Sequence, residues 1–115
     1  MQKGRLIDIS MDFAVSVLNI TGNIKGHYSL VNQLERAASS IGANIHEANY
    51  AQSKADFIAK MHIALKECYE TQYWLELFSR ASICDSESLE SLMNQCGKIR
   101  RMLVSSLTTV KDGNK

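Results

Sequence analysis

Apolar residues recur along this chain at intervals of three and four, the spacing that gathers them on one face of an α-helix. Four stretches carry the pattern. The first, about residues 6–21, sets Phe13, Val17 and Ile20 on one stripe. "GNIKGH" follows it, and its two glycines supply a helix stop and a turn. The second, about 29–49, aligns Leu30, Leu34, Ala37, Ile41, Ile45 and Ala48. The third, about 53–80, opens on Ser53 as N-cap, with Asp56 three residues later at the positive end of the helix. The fourth, about 86–110, takes its cap from Asp85 or Ser86 in "CDSES" and carries Leu89, Leu92, Cys96, Ile99, Leu103 and Val110. Four such helices joined by short loops predict one all-α domain over residues 1–115, an antiparallel up-and-down four-helix bundle. The absence of proline suits that class.

The third segment has more apolar surface than one bundle needs. At 100° per residue, Phe57, Met61, Ala64, Cys68, Thr71, Leu75 and Phe78 share a face. Ala59, Ile63, Trp74, Leu77 and Ala81 share nearly the opposite one. A second stripe needs a cover, and Ile63, Trp74 and Leu77 are the expected anchors of a homo-oligomer interface. The alternative is a third helix buried more deeply within its own bundle. In the second segment Ala37, Ala38, Gly42 and Ala43 keep the helix thin. Gly42 in a helix interior costs about 1 kcal/mol relative to Ala, so a close helix approach is expected to offset it.

Composition narrows the function classes. The 115 residues are 45% hydrophobic and 22% charged, ordinary for a globular chain, with a net charge of +1. A dedicated nucleic-acid binder usually carries a large basic excess. Cys68, Cys84 and Cys96 are odd in number and lack CxxC spacing, so three reduced thiols and a cytoplasmic location are expected. Lys3 and Arg5 precede an apolar run that Asp8 and Asp12 interrupt, which makes neither a signal peptide nor a membrane span.

Candidate chemistry is sparse. No Glu is followed three residues later by His, the pair that metal-holding bundles present on facing helices, and His27, His46 and His62 fall on polar positions. The chain lacks GxSxG, and "GNIKG" lacks the GK[ST] ending of a phosphate loop. No metal, no cofactor and no catalysis are expected. Three polar residues tend inward: Asn44 beside Ile41 and Ala48, Glu70 within the second stripe, and Arg100 among Met93, Cys96 and Leu107. Inward polar groups need partners, so an Asn44–Glu70–Arg100 network is expected, either fixing helix register or forming a ligand or catalytic cluster. "KIRRM" is the densest basic cluster; Lys98 and Arg101 point outward as possible RNA or DNA contacts.

The stretch "SSIGANIHEANYAQSKADFIAKMHIALKECYETQYWLEL" resembles the four-helix bundle family of the 23S rRNA intervening-sequence proteins, to which the accessory variability proteins of diversity-generating retroelements look related. The matching elements are Gln33, Leu34, Arg36 and Ala37; Ser40, Ile41, Ala43, Asn44, Ile45 and Glu47; Ser53, Asp56 and Phe57; and Ile63, Ala64, Glu67, Glu70 and Thr71. The resemblance implies a homopentameric ring of bundles, which would cover the second stripe of the third helix. For function it implies little; the leading expectation is a non-enzymatic scaffold or adaptor for a protein or RNA partner, without membrane association. The retroelement relatives look like nucleic-acid binders with a basic ring surface; they are strongly basic, and this chain is not.

Overall fold

The computed structural model describes residues 2–112, with side chains from Gly4 onward, so the Lys3 side chain lies outside the described set. Four helices follow in order: α1 (Gln2–Thr21), α2 (Tyr28–Ala48), α3 (Lys54–Arg80) and α4 (Ser86–Lys111). Each packs on its neighbours in the sequence, α4 closes back on α1, and α1 and α3 stand diagonally apart. The result is an up-and-down four-helix bundle, 46 Å long and about 20 Å across.

Helix starts follow the expected caps. Ser53 Oγ accepts from the Asp56 amide at 3.0 Å, and Asp85 accepts from the Ser88 amide at 2.9 Å. The end of α3 carries no glycine, yet it forms a Schellman closure. The Ser82 amide donates to the Ser79 carbonyl and the Ile83 amide to the Phe78 carbonyl. Ser82 holds φ 56° to make that turn. His27 takes φ 53° just ahead of α2, after Gly26 at φ 83°.

The core is most of the predicted inward set, but Ile20, Leu30, Phe57 and Val110 near helix ends are only half-buried, and Val31 is buried in place of Leu30. Phe13 and Val17 from α1, Leu34, Ile41 and Ile45 from α2, Met61, Cys68, Leu75 and Phe78 from α3, and Leu92, Ile99 and Leu103 from α4 are buried together. Buried hydroxyls are satisfied locally: Thr71 donates to the Glu67 carbonyl at 2.8 Å and Ser10 to that of Ile7 at 3.0 Å. The thin ridge of α2 has two uses. Ala37 and Ala48 are buried on its α3 side, and a Cβ at Gly42 would stand 3.3 Å from Ser10 Oγ of α1. Gly42 therefore brings α1 in close, as its position in mid-helix suggested.

A left-handed serine at a helix C-terminus carries a backbone penalty that glycine lacks. Ser82→Gly is expected to raise stability by about 1 kcal/mol, read as an upward shift of the urea unfolding midpoint by circular dichroism. An unchanged or lower midpoint would mean that Ser82 is not under strain.

Candidate functional site

The helices create two chemically distinct seams on either side of α3. On the α2–α3 seam, Arg36 reaches from α2 to two carboxylates one turn apart on α3. Its Nη2 donates to Glu70 Oε2, and its Nη1 lies 3.5 Å from Glu67 Oε1. The same Glu70 oxygen accepts the indole N–H of Trp74 at 3.0 Å. The Arg36 hydrogen bond, and after it that of Trp74, holds the Glu70 carboxyl below the usual carboxylate range. Lower on the seam, Lys60 pairs with Glu47 at 3.5 Å. The Arg36 and Glu70 side chains remain 48% and 34% exposed, so such a pair contributes about 0–1 kcal/mol. It orients the two helices and Trp74 more than it stabilises them.

The expected Asn44–Glu70–Arg100 network is not what the structure assembles. Asn44 donates to the Ser40 carbonyl of its own helix at 2.8 Å, and Glu70 is taken by Arg36 and Trp74. Arg100 lies on the other side of α3, where its charge acts on both Cys68 and Cys96. The physical reason is placement: Asn44 and Glu70 belong to the α2–α3 seam and Arg100 to the α3–α4 seam, with α3 between them. Arg36 is the residue that sequence reasoning did not group with Glu70. Its signal lay in the shared motif, where Arg36, Glu67 and Glu70 all occur; they converge in space.

The α3–α4 seam is thiol-lined inside and basic outside. Cys96 Sγ donates to the Cys68 carbonyl at 3.6 Å, and both cysteines are buried. The Cys68 thiol is pushed far up, first by its hydrogen bond with Cys96 and then by burial. Cys84 is only half-buried. Lys98 and Arg101 are exposed, as their positions in "KIRRM" suggested, and Arg100 is half-buried with its Nε enclosed and without a hydrogen-bond partner. Gly97 is buried beneath Arg100 and Arg101.

The second stripe of α3 is present but partly used. Ile63 is 41% exposed, whereas Trp74 and Leu77 are half-buried and Trp74 packs on its own core. A second apolar face that the sequence reading did not single out lies on α1, where Met11, Val15 and Leu18 are 62%, 48% and 54% exposed. Beside it Ile7, Met11, Gly42, Ala43 and His46 line a groove between α1 and α2 of about 400 Å³. The His46 and Tyr50 rings meet at a 57° tilt with centroids 5.3 Å apart, and His62 Nε2 lies 2.7 Å from Lys111 Nζ. Among the described residues, no three His, Cys, Asp or Glu side chains gather as a metal-binding group, and no helix is long and apolar enough to cross a membrane.

Fold and seams together define an all-α up-and-down bundle whose α2–α3 pair is clasped by one arginine and two glutamates. The chain belongs to the 23S rRNA-intervening sequence protein family, whose model matches residues 2–105. It is similar to the crystal structure of a protein of unknown function from the S23 ribosomal protein family of Bacteroides thetaiotaomicron. The two are 41% identical, with a TM-score of 0.89, over 95% of this chain and all of the other. No curated protein matches the chain.

Two predictions follow from the seams. A carboxyl depressed in the folded state contributes fully above the ordinary carboxylate range and is lost as pH falls through its depressed value. Wild type is therefore expected to exceed Glu70→Gln in unfolding midpoint at neutral pH, with the gap closing in acid. A gap that stays constant would deny the ionic contribution. In thiol titration of the native protein only Cys84 should react, slowly because burial and then Asp85 push its thiol up, and all three should react after unfolding; native labelling of Cys68 or Cys96 as fast as Cys84 would contradict the buried seam.

Proposed function

We propose that this chain is a non-enzymatic, homo-oligomeric bundle that serves as a cytoplasmic scaffold or adaptor for a macromolecular partner, assembled as a pentameric ring. The observation that carries this reading is a pair of unlike apolar faces on diagonal helices. One is the Ile63–Trp74–Leu77 ridge of α3, and the other is the Met11–Val15–Leu18 stripe of α1 with its adjoining groove. Unlike faces on opposite sides of a protomer suit head-to-tail association, and head-to-tail contacts that close make rings. The number five comes from the family resemblance. A catalytic reading lacks a residue set, because Asn44, Glu70 and Arg100 are divided between two seams. The partner in this reading is a protein or an RNA.

Light scattering behind a sizing column tests the assembly. Wild type is expected at about five times the 12.9 kDa chain mass, and Ile63→Asp and Val15→Asp should each be monomeric. Each variant keeps one intact face, so mixing the two should give a dimer and no ring. A monomeric wild type would overturn the reading. A Val15→Asp variant that still assembles would show an interface that does not use α1.

A further inference from the structure

The charges of α4 are segregated along its length. Its acids, Glu87 and Glu90, lie in the first turns, and from Ser91 to Lys111 the helix has none. Lys98, Arg100 and Arg101 therefore lack a carboxylate three or four residues away on their own helix, where intrahelical pairs form. The facing helix does not supply one either. Glu67 and Glu70 are turned to Arg36 on the far seam, and Glu76 is held by Arg80 at 2.8 Å. In a chain of net charge +1, the lower half of the α3–α4 face is left basic.

Two of these cations are also held close together. A Cβ at Gly97 would stand 3.3 Å from Arg101 Nη1 and 4.0 Å from Arg100 Nη2, so both guanidinium groups fold over the same bare stretch of helix. Arg100 Nε is enclosed and unpartnered. Two guanidinium groups crowded without a carboxylate repel one another, and a partly buried donor without an acceptor is costly. A tetrahedral oxyanion relieves both, because planar guanidinium forks fit phosphate oxygens in paired hydrogen bonds. On α3, Tyr69 and Tyr73 follow Cys68, one turn apart and 53% and 60% exposed. Cys68 is the residue that touches Cys96, so the first of these rings lies beside the arginine pair's own seam.

We propose that Arg100 and Arg101 above Gly97 form a phosphodiester-binding fork, and that with Tyr69 and Tyr73 they hold a single-stranded nucleic acid along the α3–α4 face. The phosphate sits on the fork and supplies salt-sensitive affinity, and unpaired bases stack on the tyrosines. Unlike a free phosphate or an acidic peptide, such a strand uses both the cations and the exposed rings. The assignment deepens the adaptor reading; the two arginines, on α4, belong to neither apolar face, whereas Tyr73 packs edge-on against Trp74 of the α3 ridge with ring centroids 5.0 Å apart. Lys98 is an outlying backbone contact.

The test is fluorescence anisotropy of a short, unstructured, labelled RNA against wild type and variants over a range of salt, with each variant's mass measured alongside. Wild type should bind with a salt slope of about 0.7 per phosphate engaged. The Arg100→Gln/Arg101→Gln pair should weaken binding by about ten-fold and flatten the slope. Tyr69→Leu should weaken binding and leave the slope unchanged. Gly97→Ala should fold at least as stably as wild type, since alanine suits a helix interior, while its methyl group displaces Arg101 and weakens binding. A double-arginine variant that binds like wild type would overturn the fork. Equal binding of polyglutamate, or inorganic phosphate perturbing the arginines with no RNA bound, would overturn the nucleic-acid assignment. Binding that survives in monomeric Ile63→Asp would uphold the fork while leaving the ring to its own test.

Discussion

The close approach of α2 to α3 is the constraint from which the other features follow. Two helices come that near only where their ridges are thin, and the buried Ala37 and Ala48 of α2 and Ala64 of α3 keep the inward side of both helices small. Once the backbones are close, the half-exposed Arg36 side chain reaches both Glu67 and Glu70. A pair so exposed adds about 0–1 kcal/mol. The apolar contact beneath holds the helices, and the ion pairs select their register and fix the indole of Trp74 through Glu70.

That clasp has an electrostatic consequence on the opposite side of α3. Arg36 engages Glu67 and Glu70 on the α2–α3 side, so neither carboxylate is turned toward the cations of α4. Net charge is a poor guide to such a chain. A total of +1 is the sum of a compensated α2–α3 seam and an uncompensated α3–α4 seam, and a ligand meets only the seam it touches. The near-neutral composition that argues against a dedicated nucleic-acid binder therefore does not argue against a local basic groove. In a ring, a groove that is weak alone is repeated by symmetry, and its copies act on one long strand through effective concentration.

Much of the fold was legible because it depends on short-range rules. The 3.6-residue period separated inward from outward positions on all four helices, and Ser53 and Asp85 cap where short polar residues precede an apolar run. The end of α3 was harder to read, since Ser82 occupies the left-handed position that glycine usually marks. The polar groups were less legible still. An angle on a helical wheel says that Glu70 and Arg100 lean inward, but not which neighbour each leans toward. They lean to opposite neighbours, so a grouping based on inwardness joined residues that α3 keeps apart. Arg36 was hidden for the converse reason. Its position reads as exposed, and its role depends on a partner 34 residues away in sequence.

The exposed face of α1 escaped notice for a related reason. Met11, Val15 and Leu18 are interleaved with the inward Phe13 and Val17, and a helix with one clear inward stripe hides a second one beside it. Their significance depends on the bundle's topology, which sets α1 diagonal to α3. Had the two apolar faces lain on adjacent helices, one two-fold contact could have covered both and closed a dimer. On diagonal helices they point away from each other, so no single two-fold contact covers both, and in the proposed ring one copy's ridge meets the next copy's groove. The order of helices around the bundle thus decides what kind of assembly is open to the chain, before any single interface residue is considered.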